Sequence, residues 1–263
     1  MQGVKATPSQ ATYLRFNATA VCIPHPAKAQ RGGEDAFFIS SDGKSLGVFD
    51  GVGGWNKHGV DPGVFSKALA LGCKKAAENG VKKPTDMMKH AYKLVAGVPG
   101  SSTAIVITLQ DGRLRSANIG DSGFMLLRQD MEKIHALRSH EQQHGFNHPY
   151  QLATVVPSDL PDNADELDVD VKRGDVIICY SDGFSDNIYT SDAVDILRRH
   201  LTGSPSNPVD IDGFSKELAF SAFQLASKPD YVSPFVKNAQ AQGYDRVSGG
   251  KMDDITVIAG YIY

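Results

Sequence analysis

Asp50-Gly51-Val52-Gly53-Gly54 follows the apolar run Leu46-Gly47-Val48-Phe49, so a strand delivers a carboxylate into a turn of glycines. Asp35, Asp121, Asp182 and Asp253 stand at the edges of other strand-forming stretches and could converge with it. Aspartate offers short, hard oxygen ligands suited to Mg2+ or Mn2+, ions that keep several waters when few protein groups surround them. Two such ions about 3.5 to 4 Å apart, bridged by a carboxylate and a water, generate a hydroxide near neutral pH and clamp a phosphoryl oxygen. That is hydrolytic chemistry. A single Asp-Gly pair says little, because it is a common turn dipeptide, and Asp42-Gly43 and Asp111-Gly112 are read only as turns. Asp50 differs because its glycines permit close backbone approach, which would let the Gly51 carbonyl serve as a ligand. Asp182-Gly183 also emerges from an apolar strand.

A second pattern competes. His140-Glu141-Gln142-Gln143-His144 spells the His-Glu-x-x-His signature of zinc metalloproteases, in which two histidines one helical turn apart bind Zn2+ and the glutamate acts as base. That chemistry needs a long helix, yet Gly145, Asn147 and Pro149 follow at once. Glu166 and His148 are the available nominees for a third ligand. The acidic stretch from Asp162 to Asp170 alternates with Leu167, Val169 and Val171 and reads as a solvated strand face rather than a metal site. Trp55, after the glycine turn, is expected to pack in the core.

The elements that must position these residues follow from period and punctuation. Strand-forming runs come in pairs: 35–40 with 45–49 and 103–109 with 113–118 are joined by the two Asp-Gly turns. Residues 123–128 and 133–137 continue the meander, 167–171 reads as an edge strand returning as 176–180, and 255–261 closes the set. Helical patterns occupy 64–77, 85–95, 192–201 and 211–226, with Asp61-Pro62 as a start signal and Gly80 as a stop. Strands clustered in meanders with helices in pairs predict an α+β fold: a central antiparallel β-sandwich of two sheets flanked by helix pairs, in α-β-β-α layers.

The chain has 263 residues, 41% hydrophobic and 22% charged, which fits one domain over 1–263. A formal charge of -3 gives no basic field for nucleic acid, and no segment reaches the apolar length of a membrane span. Cys22, Cys73 and Cys179 lie in apolar stretches without a Cys-x-x-Cys pair or a secretory signal, so they read as buried thiols of a protein that is not secreted. The first 33 residues carry Lys5, Arg15, Lys28 and Arg31 but no acid, as organellar transit peptides do. Residues 13–21 are rich in strand formers, however, and a first structural strand is expected there.

Glu34-Asp35, Val48 to Gly54, Ser101-Ser102-Thr103-Ala104, Asn118-Ile119-Gly120-Asp121-Ser122, Ser181 to Asn187 and Asp253-Asp254-Ile255-Thr256-Val257 resemble, in order, the motifs of the metal-dependent protein phosphatases of the 2C type. Gly-Val-Gly-Gly-Trp, Val60-Asp61-Pro62 and Glu141-Gln142-Gln143-His144 make the chain most similar to the mitochondrial branch, which has plant plastid relatives. The resemblance implies a serine/threonine phosphoprotein phosphatase acting as a monomer on a phosphorylated protein, mitochondrial or otherwise cytoplasmic. It implies that Asp50 bridges two Mg2+ or Mn2+ ions, with the Gly51 carbonyl on one and Asp182 and Asp253 on the other. Glu34 and Asp35 would hold the second ion directly or through water, and Asp121 with Asp182 would recruit a third. Thr103, Ser102 and Asn187 would orient strands and waters.

Two positions depart from the family pattern. Many relatives have a histidine, thought to protonate the leaving oxygen, where Val52 stands here, and valine donates no proton. His144, in a loop expected to border the cleft, is a candidate to supply the proton or a phosphate contact. Arg31 stands three residues before Glu34, near the place of the family's phosphate-gripping arginine but at a different spacing. A pseudophosphatase that binds without turnover is the alternative in a different class; the retention of Asp50, Asp182 and Asp253 speaks against it.

Overall fold

Alternation along the strands decides which layer each side chain enters. In the strand Ser45–Asp50, Leu46 and Val48 point to one side and Phe49 to the other, and all three are fully buried. The same split recurs at Ala104–Gln110, where Ile105 and Ile107 face a different core from Ala104 and Val106. Strands buried on both faces carry continuous apolar runs, which is why their sequences show no polar face. The computed structural model describes residues 14–204, 206–245 and 247–263. The expectation for the N-terminus falls partly outside them: Lys5 and Tyr13 are not described, and the first strand, β1, is Phe16–Ile23.

The strands that follow are β2 (Asp35–Ile39), β3 (Ser45–Asp50), β4 (Ala104–Gln110), β5 (Arg113–Ile119), β6 (Gly123–Asp130) and β7 (Lys133–Arg138). β8 (Asp165–Asp170), β9 (Val176–Tyr180) and β10 (Ile255–Ile262) complete two five-stranded antiparallel sheets. One has the order β1-β10-β9-β6-β7 and the other β8-β5-β4-β3-β2. Leu46, Ile105, Phe124, Ile177 and Ile258 are among the side chains that fill the space between them.

Helices α1 (Pro62–Glu78) and α2 (Pro84–Leu94) cover the second sheet, burying Phe65, Leu69, Met87 and Met88 with Phe49 and Val106. On the far side of the first sheet, after the single turn α3 (Asp182–Ser185), α4 (Thr190–His200) and α5 (Ile211–Ala226) bury Ile196, Phe214 and Leu218 with Ile178 and Val257. The α-β-β-α layering is therefore as expected. Asp61 caps α1 by accepting a hydrogen bond from the Gly63 amide at 3.0 Å, and Gly80 ends the helical segment at φ +84°.

Some elements carry weak sequence signals. Helix α6 (Pro234–Ala241) has only two buried residues, Val236 and Ala239, too few to mark a stripe. The paired segments Leu201–Ser204 and Asn207–Val209, and the short hairpin Gln143–Gly145 with His148–Pro149, are likewise too brief for a period to show. The acidic edge strand behaves as expected: β8 alternates in exposure, and Arg113 pairs with Asp168 and with Asp170 at 2.6 Å. Trp55 is a correction, since it lies only partly buried in the 3-10 turn Gly53–His58 and donates from Nε1 to Ser101 Oγ at 2.7 Å. An indole whose N–H needs a partner is held at the core's edge.

Candidate metal centre

The β2–β3 hairpin brings the first carboxylates together. Its register sets Asp35 directly opposite Asp50, so both side chains leave the same face of the ladder. The turn after Asp50 is locked by backbone: the Gly51 amide donates to the Glu34 carbonyl at 3.2 Å and the Val52 amide to the Ser101 carbonyl at 3.0 Å. A Cβ on Gly51 would lie 2.8 Å from the Glu34 carbonyl oxygen and 2.9 Å from the Pro62 carbonyl group, so only glycine fits there. Thr103 secures Asp50 from the neighbouring strand. Its amide donates to the Asp50 carbonyl at 2.9 Å, its Oγ1 accepts from the Asp50 amide at 3.2 Å, and that hydroxyl lies 2.7 Å from Ser122 Oγ.

The first sheet supplies the opposing carboxylates. Ser181 and Thr256 tie the end of β9 to the start of β10, with the Thr256 amide donating to Ser181 Oγ at 3.0 Å. Ser181 Oγ in turn donates to Asp35 Oδ2 at 2.7 Å, which stitches one sheet's site residues to the other's. Asp182 then opens α3, where Gly183 packs so tightly that a Cβ would stand 2.1 Å from the Asp254 carbonyl oxygen. Asn187 clamps the segment before Asp253, donating from Nδ2 to the Lys251 carbonyl at 2.8 Å and accepting from the Lys251 amide at 2.9 Å. Asp254 organises the entrance to β2, accepting from the Glu34 amide at 2.9 Å and the His25 amide at 2.6 Å.

Two lysines reach into this cluster. Lys28 Nζ lies 2.7 Å from Glu34 Oε2, 3.0 Å from Asp253 Oδ1 and 3.2 Å from Asp254 Oδ2. Lys251 Nζ lies 2.5 Å from Asp182 Oδ2 and 2.7 Å from Asp186 Oδ2, and 5.0 Å from the centre of the Phe235 ring. Although burial opposes its charge, Lys251 is held well above the usual ammonium range by Asp182, Asp186 and Asp253. Burial also works against ionisation of Asp182, but the Lys251 ammonium outweighs it and holds that carboxyl below the usual range.

The other carboxyls are pushed the opposite way. Burial and then Asp254 push Asp35 up to about 8. Burial followed by repulsion from Asp35, Asp182 and Asp253 drives Asp50 well above the carboxylate range. Burial and Asp182 raise both Asp121 and Asp253. Carboxyls crowded until they resist ionisation are what a divalent cation relieves. Asp35 Oδ1 and Asp182 Oδ1 are buried oxygens without a hydrogen-bond partner, a costly arrangement that a metal ligand position explains. Among the described residues no three of these groups close into a finished ligand set, and Lys28 and Lys251 instead draw individual oxygens to themselves. By donor type, burial and unpaired oxygens, the residues fit Mg2+ or Mn2+.

Of the residues singled out in the sequence, Glu34, Asp35, Asp50, Asp182 and Asp253 are joined by direct contacts or mutual repulsion, and Gly51 lies in the turn between them. Asp121 borders the same cluster, only 5% exposed, with Gln143 Nε2 at 3.5 Å from its Oδ2. Arg31 sits at the rim, half exposed, with Nη1 donating to Asn56 Oδ1 at 3.2 Å and Nη2 at 3.6 Å from Glu34 Oε1.

His144 is turned elsewhere. It follows Gln143 on a short strand, so as Gln143 reaches Asp121 the imidazole projects the other way, 3.1 Å from both oxygens of Asp159 and stacked on Tyr150 at 4.0 Å. The zinc-protease pattern fails on geometry: residues 140–144 are not helical, and His140 Nδ1 stands 3.5 Å from Asp165 while His144 faces Asp159. The sequence patterns do not single out Lys28, Asp186, Lys251 or Asp254 as site residues. Asp186 stands one helical turn beyond Asp182 and Lys251 two residues before Asp253, spacings that could have flagged them.

No family model matches the chain. It is 37% identical over 253 residues to the probable protein phosphatase 2C 80 of Arabidopsis thaliana, an alignment covering 95% of this chain and 59% of that protein. The chain therefore spans less than two thirds of this plant relative. It is 39% identical over 248 residues to the Protein phosphatase PTC7 homolog of Homo sapiens, covering 88% of this chain and 79% of that one. Among solved structures, the photosystem II phosphatase PBCP matches with a TM-score of 0.84 at 32% identity, over 94% of this chain and 98% of that one. The catalytic domain of the serine threonine protein phosphatase PstP, in complex with two manganese ions, matches in fold with a TM-score of 0.67 at 15% identity, over 95% and 99% of the two chains. With its aspartates gathered between two sheets and relatives of this similarity over most of its length, the chain belongs to the protein phosphatase 2C family.

Proposed function

We propose that the chain hydrolyses phosphoserine and phosphothreonine monoesters on proteins with the help of two Mg2+ or Mn2+ ions. The observation that carries this reading is the convergence of Asp35, Asp50, Asp182 and Asp253 across the two sheets, with Asp35 Oδ1 and Asp182 Oδ1 buried and unpaired. Asp50, the Gly51 carbonyl, Asp182 and Asp253 would hold the ions, with Glu34 and Asp35 on the second ion directly or through water. When bound, such ions activate water near neutral pH and neutralise charge on a phosphoryl group.

The chain's own residues supply the rest. Thr103 and the backbone around Gly51 fix the Asp50 carboxylate, so little reorganisation is needed as charge develops. Asp35 is oriented by Ser181, and Asp253 by Lys28 and by the Asp254 amide, which donates to its Oδ1 at 2.9 Å. Arg31 at the rim carries a guanidinium able to meet a phosphate dianion, held there by Asn56 at 3.2 Å and by a longer ion pair with Glu34 at 3.6 Å.

The test is phosphate release from a phosphoserine peptide by chelator-stripped protein, with and without Mn2+. Release that requires Mn2+ supports the reading, and silence under both conditions overturns it. Zn2+-dependent cleavage of the peptide bond would instead revive the protease alternative. We propose an organellar, mitochondrial location from the likeness to the PTC7 homologs. Imaging of the tagged full-length protein checks it, and a diffuse cytosolic signal would rule it out. Among the described residues no helix is long and apolar enough to cross a membrane.

A further inference from the structure

Asp182 divides its two carboxylate oxygens. Oδ2 is taken by the Lys251 ammonium at 2.5 Å, whereas Oδ1 is buried and has no hydrogen-bond partner. Lys251 also holds Asp186 Oδ2 at 2.7 Å and acts electrostatically on Asp121, so three carboxylates share one internal cation. The lysine is placed by its backbone rather than by chance. Asn187 grips both its amide and its carbonyl, and the Phe235 ring covers the ammonium from one side. A cavity of about 140 Å3, lined by Glu141, Gln143, Phe146 and Phe235, opens on two of these carboxylates, Asp121 and Asp186. There is room for a hydrated ion, yet the Asp182 and Asp186 oxygens that such an ion would need are already held by an ammonium.

We propose that Lys251 occupies the place of a third divalent cation beside Asp121, Asp182 and Asp186, so that the protein operates with two bound ions. A divalent ion on those carboxylates would sit within a few ångströms of the ammonium, where like charges repel strongly in a partly buried site. Asp182 Oδ1 stays available to the two ions on the Asp50 side. Lys251 thus positions Asp182 for the metal pair and closes its other oxygen to further metal. The proposal deepens the phosphatase reading and rests on it in assigning Asp182 to the metal pair.

The experiment counts Mn2+ bound per full-length chain after chelator stripping, by equilibrium dialysis with elemental analysis up to millimolar free ion. Wild type should saturate at two ions. Lys251→Met, which keeps the side chain's length without its charge, should saturate at three, and Lys251→Arg should return the count to two. Three ions on wild type, or two on both wild type and Lys251→Met, overturns the proposal. If Lys251→Met does not fold by circular dichroism, the wild-type count decides: a third ion there contradicts the proposal, and saturation at two supports it. Ion counting needs no turnover, so a protein that bound two ions but released no phosphate would defeat the phosphatase reading while leaving this one standing.

Discussion

Asp35 stands directly across the β2–β3 ladder from Asp50, two acidic side chains on the same face at the same level. Like charges so placed destabilise a hairpin, and this pair persists because the residues around it are built for a cation. Ser181 holds one oxygen of Asp35 and leaves the other unpaired, while Thr103 anchors the backbone of Asp50. Stability is given up at this point in favour of a site.

The metal-free protein should therefore lose stability as pH rises. Asp35, pushed up to about 8, and Asp186, pushed up to about 7, remain protonated in the folded chain at pH values where the unfolded chain has already ionised them. Asp50, Asp121 and Asp253 are raised in the same direction. The unfolded state then binds fewer protons than the folded one, so stability falls between the ordinary carboxylate value and about 8. Lys28 and Lys251, both raised, stay charged across this window, and Asp182, lowered, is ionised in both states; none of them contributes slope. In chelator, melting at pH 8 should come several degrees below melting at pH 5.5, given roughly 2–4 °C per kcal/mol for a chain of this size. Saturating Mn2+ should reverse the trend, because the ions bind deprotonated carboxylates. Equal melting temperatures in chelator would contradict the electrostatics described.

Gly51→Ala should damage both fold and site. The new Cβ has backbone of Glu34 and Pro62 within 3 Å, and backbone cannot swing aside as a flexible side chain can. A destabilisation of about 1–3 kcal/mol is expected from such overpacking, with loss of Mn2+ affinity because the turn carrying Asp50 must shift. Gly54→Ala is the control. A Cβ at that position would meet nothing within 4 Å, so its melting temperature should stay near wild type.

The layers were legible because their signals are local. Strands such as β4 and β9 announce themselves as apolar runs, and Asp111-Gly112 marks its hairpin because both residues take positive φ, 53° and 76°. The aspartates could be read as a group because each stands at or within two residues of a strand end. Lys28 could not, since a lysine in a polar segment looks the same whether it faces solvent or a buried carboxylate, and Lys251 offered only its closeness in sequence to Asp253. Only the pairing of β10 with β9, and the Asn187 clamp, bring Lys251 to Asp182. Helix α6 escaped for a related reason, since it buries only Val236 and Ala239.

His144→Ala should leave turnover within about twofold of wild type and its profile across pH 6 to 9 unchanged. The imidazole is committed to Asp159 and Tyr150, on the opposite side of its strand from the Gln143 side chain that meets Asp121. A loss of one limb of the pH profile would mean that His144 reaches the substrate despite this placement. Steady-state kinetics on a phosphoserine peptide at fixed Mn2+ decides it.

The central claim rests on Asp182 as a metal-holding carboxylate, and Asp182→Asn tests it most directly. Mn2+-stimulated phosphate release from a phosphoserine peptide should fall by at least about 100-fold, the scale on which loss of a charge-stabilising group acts. Circular dichroism and melting in chelator should confirm that the fold survives. A folded Asp182→Asn protein that retained wild-type Mn2+-dependent release would contradict the account.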